Sequence, residues 1–210
     1  HTLGAKLPVT EETCRKLHLL TRGEIWDAGK YKEKDSDIIE KRMDGTSSIR
    51  FRTVPAKQTP EFMKRLHMLW DDSLQEIKIH RVIAMAAYNL DFLCIHPFRD
   101  GNGRVSRLLM LLQCYHAGIE VGRYVSLERL IEQNKERYYE TLKLSSQGWH
   151  EGKHNPWHYI NFLCFIIRSA YKEFEERLDQ MPQPRGEKTD IVKTAAINTS
   201  GDFSVADLQK

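Results

Sequence analysis

The chain has 210 residues, 40% hydrophobic and 10% aromatic, which is enough for one domain with a sizeable core and a short appendage. Its 32 basic and 29 acidic side chains give a net charge of +3, so the overall charge alone predicts no binding to nucleic acid or to an anionic membrane. The four cysteines are widely spaced, and Cys94, Cys114 and Cys164 lie in apolar runs, which favours buried free thiols, a reducing compartment and a cytoplasmic location. Because no apolar run is long enough to span a bilayer and no signal peptide is visible, we expect no membrane partner.

The first elements along the chain are a helix, a loop and a hairpin. Residues 10–21 have the pattern of a helix that Thr10 caps. Two glycines and several charges then indicate a loop. Residues 37–54 contain two short strands about Asp44-Gly45, which is a typical hairpin turn. Another helix begins at Thr59-Pro60, since proline is favoured at the first helical position.

Two nearly all-apolar helices, at 79–93 and 104–118, are typical of the middle of a helical bundle. Residues 126–145 predict one amphipathic helix with Ser126 as its N-cap, and a further helix runs from Pro156 to about residue 178. We therefore expect residues 1–180 to form an all-α bundle with one small hairpin. Beyond it we expect a linker at 181–186 and a two-helix tail at 187–210.

The loop between the two apolar helices, residues 96–103, concentrates charge and backbone freedom. Its DGNG segment, residues 100–103, lies directly before a helix, whose first N–H groups have no internal partners. The two glycines let successive N–H groups point one way and form an anion nest. Arg104 and Arg107 share a helix face, and guanidinium groups pair with phosphate through a planar fork. This arrangement predicts a site for more than one phosphate.

Asp100 and His96 add a metal ligand and a base to this loop. Asp100 would repel phosphate unless a Mg²⁺ ion bridges the carboxylate and the phosphate oxygens. A neutral imidazole at His96 is suited to take a proton from an incoming hydroxyl. The segment therefore predicts transfer of a phosphorus-containing group from a nucleotide to a hydroxyl. The alternative is a tight turn with solvated arginines, because a G-x-G motif alone is weak.

Residues 96–107 resemble the signature of the Fic family, H-x-F-x-[DE]-G-N-G-R-x-x-R. The similarity extends over about residues 7–178, and GKYK at 29–32 resembles the family's G-x-[YF]-R, with Lys32 in place of arginine. The resemblance implies an α-helical fold and transfer of AMP from Mg-ATP to a Ser, Thr or Tyr hydroxyl of a target protein, or of the chain itself. All eight fixed positions of the signature are filled, by His96, Phe98, Asp100, Gly101, Asn102, Gly103, Arg104 and Arg107.

The resemblance also implies a role for each residue of the signature. His96 would be the general base and Asp100 the ligand of Mg²⁺. Residues 101–103 would form the anion hole, and the two arginines would bind the ATP phosphates. Phe98 would anchor the loop by packing.

Outside the signature, the resemblance implies an adenine contact and a docking strand. Tyr138 matches an aromatic residue beside the adenine, and Ser146 falls where some relatives have asparagine. Ile38, Ile39 and Glu40 resemble the family's flap, whose edge strand holds the target segment through main-chain hydrogen bonds.

Many relatives carry an inhibitory [ST]-x-x-x-E-[GN] helix whose glutamate pairs with the second arginine of the signature, here Arg107. This pattern is absent from the sequence, so we expect it upstream of the first residue; inhibition by another chain, or none, are the alternatives. A homodimer is an open alternative for the assembly.

Two further functions compete with AMP transfer. The same fold can remove AMP or transfer another nucleotide fragment, but Gly103 differs from the lysine of phosphate-transferring relatives, and no additional water-positioning glutamate is identifiable. The chain can also be a nucleotide-sensing regulator that binds DNA. An intact His96 argues against sensing alone. The tail at 187–210 resembles only the start of a winged helix, so DNA binding by this chain is not supported.

Two other stretches have functional and structural interpretations. His150–His154, HEGKH, fits a zinc-protease pattern, but Gly152 breaks the helix that such a site needs, so we expect a solvated loop. Arg50 and Arg52 flank Phe51 on the hairpin. They can meet an acidic or phosphate group, although alternating charge on the solvent face of a strand is the expected explanation.

Overall fold

The computed structural model describes residues 7–41, 45–75 and 79–180. Within them the helices and strands run in the order α1 (Glu11–Arg22), β1 (Ile38–Lys41), β2 (Ser47–Phe51), α2 (Thr59–Gln75), α3 (Arg81–Ile95), α4 (Asn102–His116), α5 (Leu127–Gln133), α6 (Lys135–Ser146) and α7 (Trp157–Gln180). The all-α bundle with a small hairpin is confirmed. The linker and the winged-helix-like tail lie outside the described residues, as does the Asp44 turn position.

The centre of the bundle is the pair α3 and α4, which precede and follow the glycine-rich loop. Both bury most of their faces, and a polar network joins them inside the core. The Asn89 amide donates to the Gln113 side-chain oxygen at 2.6 Å, and the Ser106 hydroxyl donates to the Asn89 oxygen at 3.0 Å. Because buried polar groups are costly unless paired, this network fixes how the two helices face each other. It therefore holds both ends of the loop.

The hairpin is an antiparallel pair with a bulge. Ile38 faces Phe51, whereas the next residue, Ile39, faces Ile49, so Arg50 is an additional residue on β2. The base of the hairpin is held by the segment after α6. There the His150 ring stacks on Phe51 with centroids 5.5 Å apart, and its Nε2 donates to the Arg52 carbonyl at 2.7 Å.

The single helix expected over residues 126–145 is wrong, because it breaks into α5 and α6 at Asn134. The Asn134 side chain donates to the Leu130 carbonyl at 2.9 Å and competes with the backbone for that acceptor. Its own backbone leaves helical geometry, at φ −114° and ψ 31°. The predicted cap is confirmed, since the Ser126 hydroxyl accepts from the Arg129 N–H at 3.2 Å.

The bundle belongs to a unit that ends at residue 172, and the last eight described residues of α7 belong to a second unit. Across the described ranges, none of the helices combines the length and the apolar character needed to cross a membrane. The HEGKH stretch is a set of turns between α6 and α7, which confirms the predicted loop.

Candidate active site

His96 ends α3 in a left-handed conformation, with φ 54° and ψ 60°. It is the one non-glycine residue with a positive φ in the described part of the chain. Pro97 follows it and has no N–H to continue the helix, while the His96 N–H still donates to the Phe92 carbonyl at 2.9 Å. The chain therefore leaves α3 abruptly, and the imidazole lies at the point where the helix ends.

The surroundings of His96 fix its tautomer and its charge. Nδ1 lies 3.3 Å from the Leu93 carbonyl, which only accepts, so Nδ1 carries the proton and the lone pair is on Nε2. Burial lowers the pKa of His96 to about 4; the Leu93 contact opposes this, the charge of Lys32 adds to it, and Asp100 opposes it. The imidazole is therefore neutral at pH 7 and has a free base at Nε2.

His96 lines a cavity of about 190 Å³ between the hairpin, α3, α4 and α6. The cavity gathers residues from four separate parts of the chain. Six of them are site residues expected from the sequence, namely Ile38, His96, Gly103, Arg107, Tyr138 and Ser146. The other walls are mainly apolar or aromatic, with Leu90, Leu93, Cys94, Phe51, Tyr139, Leu142 and one further guanidinium from Arg50.

Arg107 is the signature arginine that lines this cavity. Its guanidinium forms a two-point contact with one carboxylate oxygen of Glu128 of α5, at 3.1 Å from Nε and 3.0 Å from Nη2. Burial raises the pKa of Tyr138 to about 12, so its phenol is neutral. Arg107 is thus already paired with a carboxylate that is 62% exposed.

Arg50 brings a second positive charge into the cavity, which corrects the expectation of a solvent-facing pair. The bulge in β2 causes the difference, because the additional residue turns Arg50 to the same side as its neighbour Phe51. Its guanidinium lies 5.9 Å from the centre of the Tyr139 ring. Arg52 remains exposed, as expected.

Two charged signature residues, Asp100 and Arg104, lie outside the cavity lining and contact the end of α1. The Asp100 carboxylate accepts from Arg22 at 2.6 Å and from the Gly101 N–H at 2.6 Å. The Arg104 guanidinium donates to the Thr21 carbonyl at 3.4 Å and is exposed. The structure therefore brings Arg107 to the cavity but leaves Arg104 outside its lining.

The side chain of Asn102 has a structural role, and the anion hole expected at residues 101–103 stays a prediction for its backbone. Asn102 is 1% exposed, its amide oxygen accepts from the Phe98 N–H at 2.8 Å, and its amide nitrogen donates to the Phe98 carbonyl at 2.7 Å. Only the backbone of Asn102 can take part in an anion nest. The predicted anchoring by Phe98 agrees with its complete burial and with the His18 ring stacked on it at 3.8 Å.

We expect Asn102→Ala to lower the free energy of unfolding by about 2–4 kcal/mol. The substitution leaves the buried N–H and C=O of Phe98 without partners, at a cost of about 1–3 kcal/mol each. Urea denaturation measures the difference, with Asn161→Ala on the exposed face of α7 as the matched control. A loss below about 1 kcal/mol would show that the loop does not depend on this amide.

His18 is a second fixed point of the loop. Its Nδ1 accepts from the Gly29 N–H at 2.8 Å, so Nε2 carries the proton and donates to the Asp100 carbonyl at 3.0 Å. Burial lowers the pKa of His18, which keeps this tautomer neutral. His18 therefore ties α1 and the following turn to the signature loop.

The residues expected to form the flap lie along β1. Ile38 lines the cavity, whereas Ile39 is 59% exposed. The Glu40 carboxylate accepts from Lys143 of α6 at 3.3 Å, and the Ser146 hydroxyl donates to the Lys143 carbonyl at 3.3 Å. Since the described sheet has two strands, β1 keeps one edge without a strand partner within that sheet.

The start of α4 and Asp100 together suit a metal-bound polyphosphate. Gly101 is the N-cap of α4 at φ 81°, and no side chain caps that end. The Asp100 side chain is 63% exposed even though its two oxygens contact the Gly101 N–H and Arg22, so the carboxylate reaches solvent beside the helix terminus. In the described ranges, no three His, Cys, Asp or Glu side chains are grouped to hold a metal by themselves. This donor set fits Mg²⁺, which binds through one or two carboxylates plus substrate phosphates.

Comparisons with known proteins agree with this fold and loop. The sequence pattern of the Fic/DOC family matches residues 8–114, just over half of the chain. The chain is 40% identical over 81 residues to "Protein adenylyltransferase Fic" of Aedes aegypti and 38% identical over 79 residues to the protein of that name from Drosophila grimshawi. Each match covers 38% of this chain and about 15% of the relative's length.

Two solved structures share the architecture. A Fic family protein from Desulfovibrio desulfuricans aligns with a TM-score of 0.62 at 24% identity, covering 97% of this chain and 56% of that one. A Fic domain containing signaling protein from Bacteroides thetaiotaomicron aligns with a TM-score of 0.61 at 22% identity, covering 80% and 63%. With the complete signature at the end of α3 and the family match across it, this chain belongs to the Fic/DOC family.

Proposed function

We propose that this chain transfers AMP from Mg-ATP to a hydroxyl side chain, either on a target protein or on itself. One observation carries the proposal: His96, neutral and with a free Nε2, shares a cavity with the phosphate-binding candidate Arg107 and with Tyr138. A base can activate the hydroxyl, an anion clamp can stabilise the phosphate charge, and an aromatic wall can hold the nucleobase.

The lining of the cavity includes residues suited to each end of a nucleotide. The apolar and aromatic walls formed by Tyr138, Leu90 and Leu142 suit an adenine ring. Arg107 and Gly103, at the N-terminal end of α4, suit the phosphates, because the helix dipole and the forked guanidinium both attract anions. Arg104 would join them only by leaving the Thr21 carbonyl.

The proposed reaction begins at His96. Nε2 takes the proton of the target hydroxyl, and the hydroxyl oxygen attacks the α-phosphorus of ATP. A new P–O bond to the side chain forms as the bond between the α-phosphorus and the bridging oxygen of the β-phosphate breaks. Pyrophosphate leaves with that electron pair, and Arg107 and the α4 terminus offset its charge.

Asp100 is the residue proposed to hold Mg²⁺. When bound, Mg²⁺ neutralises phosphate charge and favours departure of pyrophosphate. Asp100 would share its carboxylate between the ion and the Gly101 N–H, which keeps the side chain directed along the start of α4. Because Asp100 is one carboxylate and Mg²⁺ sites of this kind also use substrate phosphates, we expect the metal to bind together with the nucleotide.

The target segment would bind along β1. Its main chain, Ile38–Glu40, has a free edge in the sheet, and an extended peptide can add to such an edge as a further strand. The Glu40–Lys143 contact joins this strand to α6, which also carries Tyr138 and Ser146. A docked peptide would thus present its hydroxyl above the cavity that contains His96.

We expect Glu128→Gln to strengthen ATP binding about two- to fivefold. Glu128 and the phosphates compete for the Arg107 guanidinium, and an exposed ion pair contributes about 0.2–1 kcal/mol. Calorimetry with ATP and Mg²⁺ measures the change. The control is Glu132→Gln, because Glu132 lies on α5 like Glu128 and forms an exposed ion pair with Lys135 of α6. Weaker binding by Glu128→Gln would mean that Glu128 orients Arg107 rather than competing for it.

The experiment that tests the proposed function uses ATP labelled at either the α- or the γ-phosphate. Incubated with Mg²⁺, the protein is expected to incorporate the α-label, on itself or on an added protein extract, and to incorporate no γ-label. Incorporation of the γ-label would indicate phosphate transfer. Incorporation of neither label in the presence of candidate targets would refute AMP transfer.

A further inference from the structure

Lys32 is a buried lysine that reaches the residues on both sides of His96. It is 5% exposed, its ammonium donates to the Ile95 carbonyl at 3.2 Å, and its main-chain N–H donates to the Pro97 carbonyl at 2.8 Å. One residue from the loop after α1 therefore holds the carbonyl of the residue before the base and the carbonyl of the residue after it. No other part of the proposed mechanism uses this side chain.

The backbone that Lys32 holds is itself unfavourable. A non-glycine residue in the left-handed region costs about 1–3 kcal/mol and persists only when its surroundings fix it. His96 has φ 54°, and the carbonyls of Ile95 and Pro97 flank it. Because both carbonyls accept from Lys32, rotation of the peptide groups about His96 would break at least one of the two hydrogen bonds. The clamp thus fixes the direction of the imidazole.

The same ammonium reaches the hairpin. It donates to the Thr53 hydroxyl at 2.6 Å, and that hydroxyl donates to the Ser36 carbonyl at 2.8 Å. The Thr53 N–H donates to the Asp37 carboxylate at 3.3 Å. Ser36 and Asp37 directly precede β1, and Thr53 follows β2, so these contacts lie at the base of the hairpin. Lys32 consequently connects the strand proposed to hold the target with the base proposed to activate it.

We propose that Lys32 is a positioning residue that sets His96 relative to the β1 strand, so that the base and the target hydroxyl meet in the same geometry. The inference rests on the proposed function for its kinetic consequence, whereas the clamp itself is a property of the folded chain. An apolar side chain would fill the same space without the cost of burying a charge, and it would leave two oxygen acceptors, the Ile95 carbonyl and the Thr53 hydroxyl, without this donor.

The charges around the two groups are compatible with this role. Burial lowers the pKa of Lys32 to about 8, while Asp35 and Asp37 oppose that shift, so the ammonium stays mostly charged at pH 7. Its positive charge disfavours a charged imidazole at His96. The cavity beside His96 is also lined by the ionisable residues Arg50, Cys94, Arg107, Tyr138 and Tyr139, and Asp100 acts on His96 from outside it. The cavity beside Lys32 is also lined by the charged residues Glu33, Lys34 and Arg99.

Three variants test the proposal: Lys32→Met removes the ammonium and keeps the chain length, Lys32→Arg keeps a charged donor, and Thr53→Val removes only the link to the hairpin. We expect Lys32→Met to lower kcat for AMP transfer about 10- to 100-fold with KM for ATP changed less than about threefold, since small misplacements of reacting groups have effects of this size. Lys32→Arg should recover most of kcat. Thr53→Val should lower kcat about three- to tenfold. Melting curves establish that each variant is folded.

A second measurement does not depend on any activity. NMR titration of labelled histidine follows the His96 ring, and we expect Lys32→Met to shift its resonances and raise its titration midpoint, while Lys32→Arg resembles the parent. If the parent transfers no AMP but these shifts occur, the proposed function fails and the clamp stands. A folded Lys32→Met with parental kcat and parental His96 resonances would overturn the inference. If Lys32→Met does not fold, a folded Thr53→Val with parental kcat would overturn it.

Discussion

Replacing His96 by asparagine is expected to reduce the rate of AMP transfer about 100- to 10,000-fold, the range associated with a positioned general base. Asparagine is the informative substitution because it accepts the left-handed backbone found at this position and is similar in polarity. It provides no nitrogen lone pair for the target hydroxyl. ATP affinity should change less than about threefold, because the imidazole is proposed to act on the hydroxyl and not on the phosphates.

The matched control for this variant is His158→Asn, on an exposed turn of α7. It should transfer AMP at the parental rate. Initial rates of pyrophosphate release and calorimetric ATP affinities separate the chemical step from binding. A His96→Asn protein that is folded, binds ATP and retains more than about a tenth of the parental rate would remove His96 from the role of base.

Asp100→Asn is expected to abolish most of the dependence of ATP binding on Mg²⁺ and to slow transfer about 100-fold. Loss of a metal that stabilises several charges in the transition state removes a few kcal/mol, and about 2.7 kcal/mol corresponds to that factor. Asparagine keeps an oxygen that can accept from the Gly101 N–H, so the loop should remain intact. The ion pair with Arg22 is lost, but the carboxylate in that pair is largely exposed and its contribution to stability is small.

Calorimetry with ATP in the presence and absence of Mg²⁺ measures this effect, and Asp72→Asn on the exposed side of α2 is the control. The parent should bind Mg-ATP more tightly than ATP alone, whereas Asp100→Asn should bind both with similar affinity. An unchanged preference for Mg-ATP in a folded Asp100→Asn protein would show that the metal is held elsewhere.

Local patterns in the sequence were sufficient for most of the fold. The Thr10 and Ser126 caps, the two apolar central helices and the hairpin about Gly45 each depend on residues within a few positions of one another. Such signals survive folding because they act within one turn or one strand pair. The prediction of one helix through Asn134 was wrong for a similarly local reason. The periodic apolar face favoured a continuous helix, whereas the hydrogen bond from the Asn134 side chain to the Leu130 carbonyl interrupts it.

The chemistry of the signature was also visible in the sequence, but the partners of its charged groups were not. Arg107 meets Glu128 and Asp100 meets Arg22 only because separate helices converge, at separations of 21 and 78 residues. Lys32 was noted as a departure from an arginine, yet its reach to Ile95 depends on how the loop after α1 packs under α3. Spacing along the chain carries no information about such contacts.

Arg50 and Asn102 illustrate the same limit at the level of side-chain direction. One additional residue in β2 turns Arg50 from the solvent side to the cavity, and strand periodicity does not reveal a bulge. Asn102 lies in a motif associated with anions, but its amide is used to close the loop on Phe98. A motif therefore indicates which residues take part, whereas the structure shows which of their atoms are available.

The most direct test of the account is a crystal structure with Mg²⁺ and a non-hydrolysable ATP analogue. We expect the adenine beside Tyr138, the phosphates against Arg107 and the start of α4, and the His96 Nε2 facing the approach to the α-phosphorus. A polyphosphate bound away from this cavity, or one bound in it with the His96 imidazole turned toward the bundle interior, would contradict the central claim.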